Sequence, residues 1–384
     1  MTDSTEDIIS TLLTGAVEHL DIPEDLRDKT VSCYEDVGGS LLDQGGDLWS
    51  VYPQGSFTLG TVTRPPNEDG EYDIDVVCHK AVKKTSTTQE KLKDEVGEML
   101  EVYEQEKADD DTDDSPILSI NESRRCWTLT YDGFHLDVVP CVSDEEYPPT
   151  SILVTDLKLR PWHHSNPKGY ADWFRGRSPE MLRALEAKAE EIGVPVVPNW
   201  TVRSTLQRMV QVMKWHCALH FADDLDNRTP SIIITTLAAH AYTGETDLFT
   251  STINAVGNMP KHITEEGGRL WVRNPAHELE NFADKWHEYP ERHDKFLSWL
   301  DALATLLDDA GDSAGKGLDH LVDRLGEAFD LGLLRKSAQR MGLETRQLRD
   351  AGKLGMARNA GALTIASTSA PRVQKHNFHG PTQR

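Results

Sequence analysis

Gln54-Gly55-Ser56-Phe57-Thr58-Leu59-Gly60-Thr61, then Asp73-Ile74-Asp75, then Phe134-His135-Leu136-Asp137-Val138-Val139 are the stretches from which the fold of this chain can be read. Side chains alternate along a strand, so Asp73 and Asp75 share a face. A carboxylate from a neighbouring strand, Asp137, closes the cluster. Three such groups repel one another unless a cation lies between them, and hard Mg²⁺ prefers oxygen ligands. The Gly-Ser turn upstream offers backbone N–H groups and a hydroxyl to a phosphate. The combination implies metal-dependent transfer of a nucleotidyl group. Asp73 and Asp75 hold the metals. Asp137 completes the nucleophile-side metal and helps remove the proton of the attacking hydroxyl. Gln54, Gly55 and Ser56 are assigned to the β- or γ-phosphate. A lone D-x-D is weak; the signal lies in the conjunction, with the D-x-D strand 17 residues after Ser56 and a later strand aspartate following a helix.

The flanking sequence supplies a scaffold. Residues 4–44 read mostly as helix, with Ile8, Ile9, Leu12, Leu13 and Ala16 as a stripe, interrupted at Pro23 and Gly38-Gly39. Residues 48–52 and 71–79 read as strands, the second with Tyr72, Ile74 and Val76 facing one way and Asp73, Asp75 and Val77 the other. Residues 89–106 form an amphipathic helix carrying Leu92, Val96, Met99, Leu100 and Tyr103. The acidic run from Asp109 to Asp114 reads as a solvated loop. Residues 124–131 and 134–142 form a hairpin around Asp132-Gly133. Beyond about residue 180 the pattern turns helical, near 179–193, 201–222, 230–243, 276–288, 291–308 and 316–341. Residues 358–384 hold no acidic residue and read as a mobile tail.

With 384 residues the chain accommodates two domains and a substantial core. Its 40 Lys and Arg against 64 Asp and Glu give a net charge of −24. That field opposes stable DNA or RNA binding, which depends on basic patches, and leaves room for a small nucleotide neutralised by metal and local cations. The five cysteines are scattered, with no C-x-x-C pair, which fits a reducing cytoplasm. No secretory signal and no apolar run of membrane-spanning length is visible.

The stretch from Gly55 to Thr61, with Asp73, Asp75 and Asp137, resembles the polymerase-β-type nucleotidyltransferase superfamily. More narrowly it is similar to the bacterial cyclic-oligonucleotide synthases related to cyclic GMP–AMP synthase, the DncV-like enzymes of CBASS anti-phage systems. Supporting stretches are Ser165 to Phe174, Leu206 to Lys214, Pro230-Ser231-Ile232-Ile233, Asn274-Pro275 and Glu280-Asn281-Phe282. The resemblance implies an α+β, bilobed fold. Residues 1–160 make a mixed-sheet catalytic lobe with the N-terminal helix, 161–345 a helical lobe completing the nucleotide cleft, and 346–384 a mostly flexible tail. It implies cyclisation of nucleoside triphosphates (ATP, GTP or both) into a cyclic di- or trinucleotide, with pyrophosphate release and Mg²⁺ or Mn²⁺ as cofactor. It also implies a role in infection signalling and operon partner proteins acting through the tail, where residues 373–380 form a candidate docking peptide. The alternatives are a nucleotidyltransferase acting on a protein, an RNA end or a small molecule, and a low-turnover nucleotide-binding scaffold.

Lys214 lies at the edge of the helix face made by Leu206, Met209, Val210, Met213 and Cys217. On spacing alone it either reaches a cleft to bind phosphate or covers the core margin with its stem; the resemblance assigns it to the donor triphosphate. Ser231 opens the next helix, as a cap or a phosphate contact. His135 shares the Asp137 face and reads as a half-exposed strand histidine. Tyr170, Trp173 and Phe174 read as packing between lobes.

Overall fold

The computed structural model describes residues 5–64, 71–108, 116–156, 158, 161–178, 203–313, 316–356 and 363–365. The chain opens with α1 (Thr5–Val17) and α2 (Glu24–Gly45), then β1 (Trp49–Pro53), α3 (Gly55–Leu59), β2 (Tyr72–Lys80) and α4 (Gln89–Ala108). Five further strands complete a seven-stranded sheet: β3 (Ser119–Glu122), β4 (Trp127–Tyr131), β5 (Phe134–Ser143), β6 (Ile152–Val154) and β7 (His163–Ser165). Its main path runs β1-β2-β5-β4-β3, with β6 on the end of β5 and β7 beside β6. Among the described strands of this sheet only β2 and β5 pair in parallel, so the sheet is mixed. Period-two alternation buries Tyr72, Ile74 and Val76 with Leu136 and Val138 against Val37, Leu41, Leu92, Val96 and Leu100 of α2 and α4. The opposite face of the same two strands is thereby left for the acids.

The helical lobe follows: α5 (Pro167–Gly176), α6 (Thr205–His220), α7 (Ser231–Ala241) and α8 (Leu248–Asn258). Two hairpins, β8 (Thr264–Glu266) with β9 (Arg269–Trp271) and β10 (Arg273–Asn274) with β11 (His277–Asn281), lead to α9 (Lys285–Glu288), α10 (Glu291–Ser313), α11 (Leu318–Leu325) and α12 (Leu331–Asp350). A last pair, β12 (Leu354–Met356) and β13 (Leu363–Ile365), lies within the region read as tail. Although first in the chain, α1 buries Ile9, Leu12, Leu13 and Ala16 in the core of the helical lobe, with Met209, Trp299 and Leu334. At the seam, α3 gives Phe57 to the sheet core and Leu59 to the helical core.

Several expected elements differ. Gly38-Gly39 does not interrupt α2, because Cys33, Val37 and Leu41 at helical spacing bury one stripe and outweigh about 1 kcal/mol per glycine. Residues 276–288 are a hairpin and a short helix, where Asn side chains satisfy the backbone. Asn281 Oδ1 accepts from the N–H groups of Val272 and Ala283 at 3.0 and 2.9 Å, and Asn274 Oδ1 accepts from Ala276 N at 2.8 Å. The stretch 316–341 is divided between α11 and α12 where Asp330 caps the N–H of Gly332 at 2.7 Å. The acidic run 109–114, the helix expected near 179–193, and residues beyond 365, including the candidate docking peptide 373–380, lie outside the described residues. Among the described residues no helix is long and apolar enough to cross a membrane, and the five cysteines are buried with no disulfide between them.

A buried carboxylate ties the lobes. Asp144, just past β5, accepts from His164 Nδ1 of β7 at 2.6 Å and from His277 Nε2 of β11 at 3.4 Å. His277 Nδ1 accepts from Leu279 N at 3.3 Å, which leaves the ring proton on Nε2. The Asp144 carboxyl is held below its usual range by these donors against the opposing effect of burial. Hydrogen bonds to a charged group contribute about 1.5–3 kcal/mol each. Asp144→Ala is therefore expected to cost roughly 3 kcal/mol in urea unfolding; a loss near zero would remove the tie.

Candidate active site

Parallel pairing puts Asp75 opposite Asp137 and Asp73 opposite His135. Because i and i+2 share a face, all four groups gather on the surface turned away from α2 and α4. Ligand atoms of Asp73, His135 and Asp137 lie within 4.8 Å of one another. His135 Nε2 sits 3.3 Å from Asp73 and its Nδ1 3.5 Å from Glu71. Thr128 Oγ1 donates to Asp137 Oδ1 at 2.5 Å and orients it.

The electrostatics follow from crowding. Burial first, then the charges of Asp73 and Asp137, push the Asp75 carboxyl up to about 7, against the pull of His135 and Lys214. The hydrogen bond that His135 donates to Asp73, helped by the surrounding carboxylates and opposed by burial, raises His135 to about 9. An imidazolium thus supplies part of the positive charge these acids need. The oxygen-rich donor set and a buried carboxylate held near neutrality fit a hard divalent cation. His135 is the half-exposed strand histidine expected from sequence, and it also sits in the acid cluster; its position two residues before Asp137 is the sequence signal for that.

The Gly-Ser turn meets this cluster directly. Gln54 N donates to Asp75 O at 2.9 Å. Gly55 has φ +64, and a Cβ there would run into the Asp75 carboxylate. Gly55 and Ser56 are the first two residues of α3, whose C-cap Gly60 is left-handed. Gln54, Gly55 and Ser56 line a cavity of about 1380 Å³ between the lobes, together with Asp73, Asp75 and Asp137.

Lys214 and Ser231 line the same cavity from the helical side. Lys214 Nζ donates to Thr61 O at 2.8 Å, so the amine points inward across the lobe boundary. Burial lowers it to about 8, while Asp73 and Asp75 pull the other way. Ser231 is the first residue of α7, Pro230 holds the cap position, and no side chain caps the helix. Its hydroxyl is thus not the cap. Tyr170 and Phe174 are buried, with Tyr170 OH bonded to Thr236 Oγ1 at 2.9 Å, so their role is packing. Residue patterns did not single out the cations Arg64, Arg124, Arg125, Arg228 and Lys285, which also line the cavity and offset the −24 of the whole chain locally. Apart from the neighbouring Arg124 and Arg125 they are far apart in sequence, and only folding assembles them.

A family model for the cyclic GMP-AMP synthase DncV-like nucleotidyltransferase domain matches residues 50–140, which hold β2, β5 and the Gly-Ser turn. The chain is 30% identical over 280 residues to a c-di-GMP synthase of Roseivirga ehrenbergii, covering 71% of each protein. It is 25% identical over 378 residues to the cyclic dinucleotide synthase CdnG of Bradyrhizobium diazoefficiens, covering 88% of this chain and 87% of that one. Among solved structures, Bradyrhizobium diazoefficiens CdnG in complex with GTP matches with a TM-score of 0.65 at 23% identity, over 87% of this chain and 99% of the other. Vibrio cholerae DncV in complex with nonhydrolyzable GTP matches with a TM-score of 0.52 at 14% identity, over 86% and 88%. The bilobed α+β fold, the family model on the acid-bearing strands and the 30% identical relative lead to one conclusion: this chain belongs to the DncV-like nucleotidyltransferase family of enzymes, with a polymerase-β-like fold.

Proposed function

We propose that this chain joins nucleoside triphosphates into a cyclic di- or trinucleotide with release of pyrophosphate, using Mg²⁺ or Mn²⁺ held by Asp73, Asp75 and Asp137. The observation that carries the reading is the Asp75–Asp137 register beside Gly55, inside a cavity large enough for two nucleotides. Bound divalent metal supplies charge stabilisation to the attacking and leaving oxygens. The chain's own groups do the rest. Asp137, fixed by Thr128, faces the attacking hydroxyl and receives its proton. Ser56, the Gly55 backbone, Gln54, Lys214 and Ser231 hold the donor's triphosphate, so that the α-phosphorus lies over the carboxylates.

Relatives named as cyclic dinucleotide synthases support ring closure over transfer to a macromolecule. The net charge of −24 supports it too, since RNA acceptors call for a basic surface. The test is mass spectrometry of the purified chain with four NTPs and Mg²⁺. A phosphatase-resistant cyclic product is expected; nucleotide found covalently on protein or RNA, with no small cyclic product, would transfer the reading to the alternative acceptors. We place the product in anti-phage signalling in the cytoplasm. Phage protection by the operon in a heterologous host, lost with Asp73→Asn, checks that role.

Lys214→Met gives a further expected result. A charge-assisted hydrogen bond is worth about 1.5–3 kcal/mol, so the KM for NTP should rise about 10- to 150-fold. Steady-state pyrophosphate release measures it, and an unchanged KM would restrict Lys214 to its bond with Thr61.

A further inference from the structure

The cavity has a second polar wall that metal and triphosphate binding do not use. Arg124 and Arg125, in the loop between β3 and β4, both clamp onto the buried Asp156. Arg124 Nε lies 2.7 Å from Asp156 Oδ1 and Arg125 Nε 3.0 Å from Oδ2. The arginines are fixed through Nε, and both line the cavity. They immediately precede Cys126, which neighbours Thr128 and through it Asp137. This wall therefore adjoins the carboxylate assigned to the attacking hydroxyl.

Facing it is Glu280 of β11, buried to 7% exposure yet lining the cavity. Asn274 Nδ2 donates to its Oε2 at 2.6 Å and Ser165 Oγ to its Oε1 at 3.2 Å. With a further hydrogen bond from the Asn166 backbone, these bonds lock the orientation of the carboxylate and leave it acceptor capacity toward the cavity. Arg125 is near enough for its charge to act on Glu280. The same Arg125 charge, added to the larger effect of burial, depresses His163 to about 4, so that ring is neutral and flat. A neutral imidazole, an oriented acceptor and guanidinium groups are the kinds of group that stack on and hydrogen-bond a nucleobase.

The donor and acceptor pattern selects one base. We propose that Glu280, with Arg124 and Arg125, forms the base pocket of the acceptor nucleotide and selects guanine. Guanine presents N1–H and N2–H₂ donors to a carboxylate, and O6 and N7 acceptors to a guanidinium. Adenine sets its N1 lone pair against the carboxylate and its N6 donor against the arginine, cytosine likewise sets N3 and N4 wrongly, and uracil offers N3–H and O4 but lacks the N2 amine and N7 that give guanine two bonds on each side. The assignment rests on the proposed synthase reading, because it takes the nucleotide beside Asp137 to be the attacking one.

Calorimetric titration of the full chain with GMP and AMP isolates the base, since neither carries the β- and γ-phosphates that Lys214 and Ser231 would hold. At pH 8, where Glu280 is ionised, GMP is expected to bind at least about tenfold tighter than AMP, the discrimination of one good bidentate pair. Glu280→Gln should reduce that preference to near unity, because an amide also donates to adenine N1. Its melting temperature controls for folding. Arg125→Lys, at a half-exposed position, keeps the charge and loses the fork; it should weaken GMP about tenfold and AMP little. Equal binding of GMP and AMP by the unmodified chain, or a preference untouched by both variants, overturns the assignment. The NTP-mixture reaction separates this from the synthase reading. Guanine preference without pyrophosphate release from any NTP overturns the synthase and supports the pocket. A cyclic product made only of adenine overturns the pocket and supports the synthase.

Discussion

Asp75→Asn is expected to abolish product formation while stabilising the metal-free protein above neutral pH. The two effects have one cause. Asp75 is desolvated beside Asp73 and Asp137, and its carboxyl titrates near 7 instead of 3.8. Between those values the folded chain binds a proton that the unfolded chain has lost, so stability falls as pH rises through that window and stays low above it. Each pKa unit corresponds to about 1.4 kcal/mol, so the ionised carboxylate costs the metal-free fold up to a few kcal/mol at pH 8. An amide removes that cost. The melting temperature of Asp75→Asn should exceed that of the unmodified chain at pH 8, and the difference should vanish near pH 4. Mg²⁺ should raise the melting temperature of the unmodified chain and leave the variant nearly unchanged. Catalysis moves the other way. Losing several kcal/mol of metal-borne charge stabilisation lowers pyrophosphate release by roughly 10³-fold or more. A variant that is both active and unstabilised would refute the cluster.

Gly55→Ala tests the second half of the site. The positive φ at Gly55 costs a non-glycine residue about 1–2 kcal/mol, and the new methyl collides with the Asp75 carboxylate. The carboxylate must shift from its present position opposite Asp137. Displacement of a reacting group by about 1 Å costs roughly 10²-fold in rate, so activity should fall at least that far, with stability reduced by the backbone term. Gly39→Ala is the matched control. Gly39 lies inside α2 with open space around its Cβ position, so alanine there should stabilise by about 0.5–1 kcal/mol and leave activity intact. Comparable activity losses at both glycines would remove the special status of the turn.

The local patterns that encode the acid-bearing strands read directly from sequence. Alternation along residues 72–80 and 134–142 separates a core face from an acid face, and Asp132-Gly133 marks the turn before β5. The hairpin at 273–281 was hidden because Asn274 and Asn281 replace backbone pairing with side-chain bonds, and its apolar spacing mimics a helix. His135 escaped because a histidine on a half-exposed strand has many neutral uses; its charge is set by Asp73 across the register.

Residue spacing alone determined that Asp73 and Asp75 share a face, that a Gly-Ser turn precedes them, and that a strand carrying Asp137 follows α4, since these are properties of neighbours along the backbone. Tertiary structure decided that Asp137 lies level with Asp75, that Lys214 crosses the lobe boundary to Thr61, and that Arg125 and Glu280 line one cavity. Those juxtapositions depend on the parallel pairing of β2 with β5 and on two separately packed cores closing over one cleft. Such long-range register is chosen by burial of whole faces and leaves no mark in any short window of sequence.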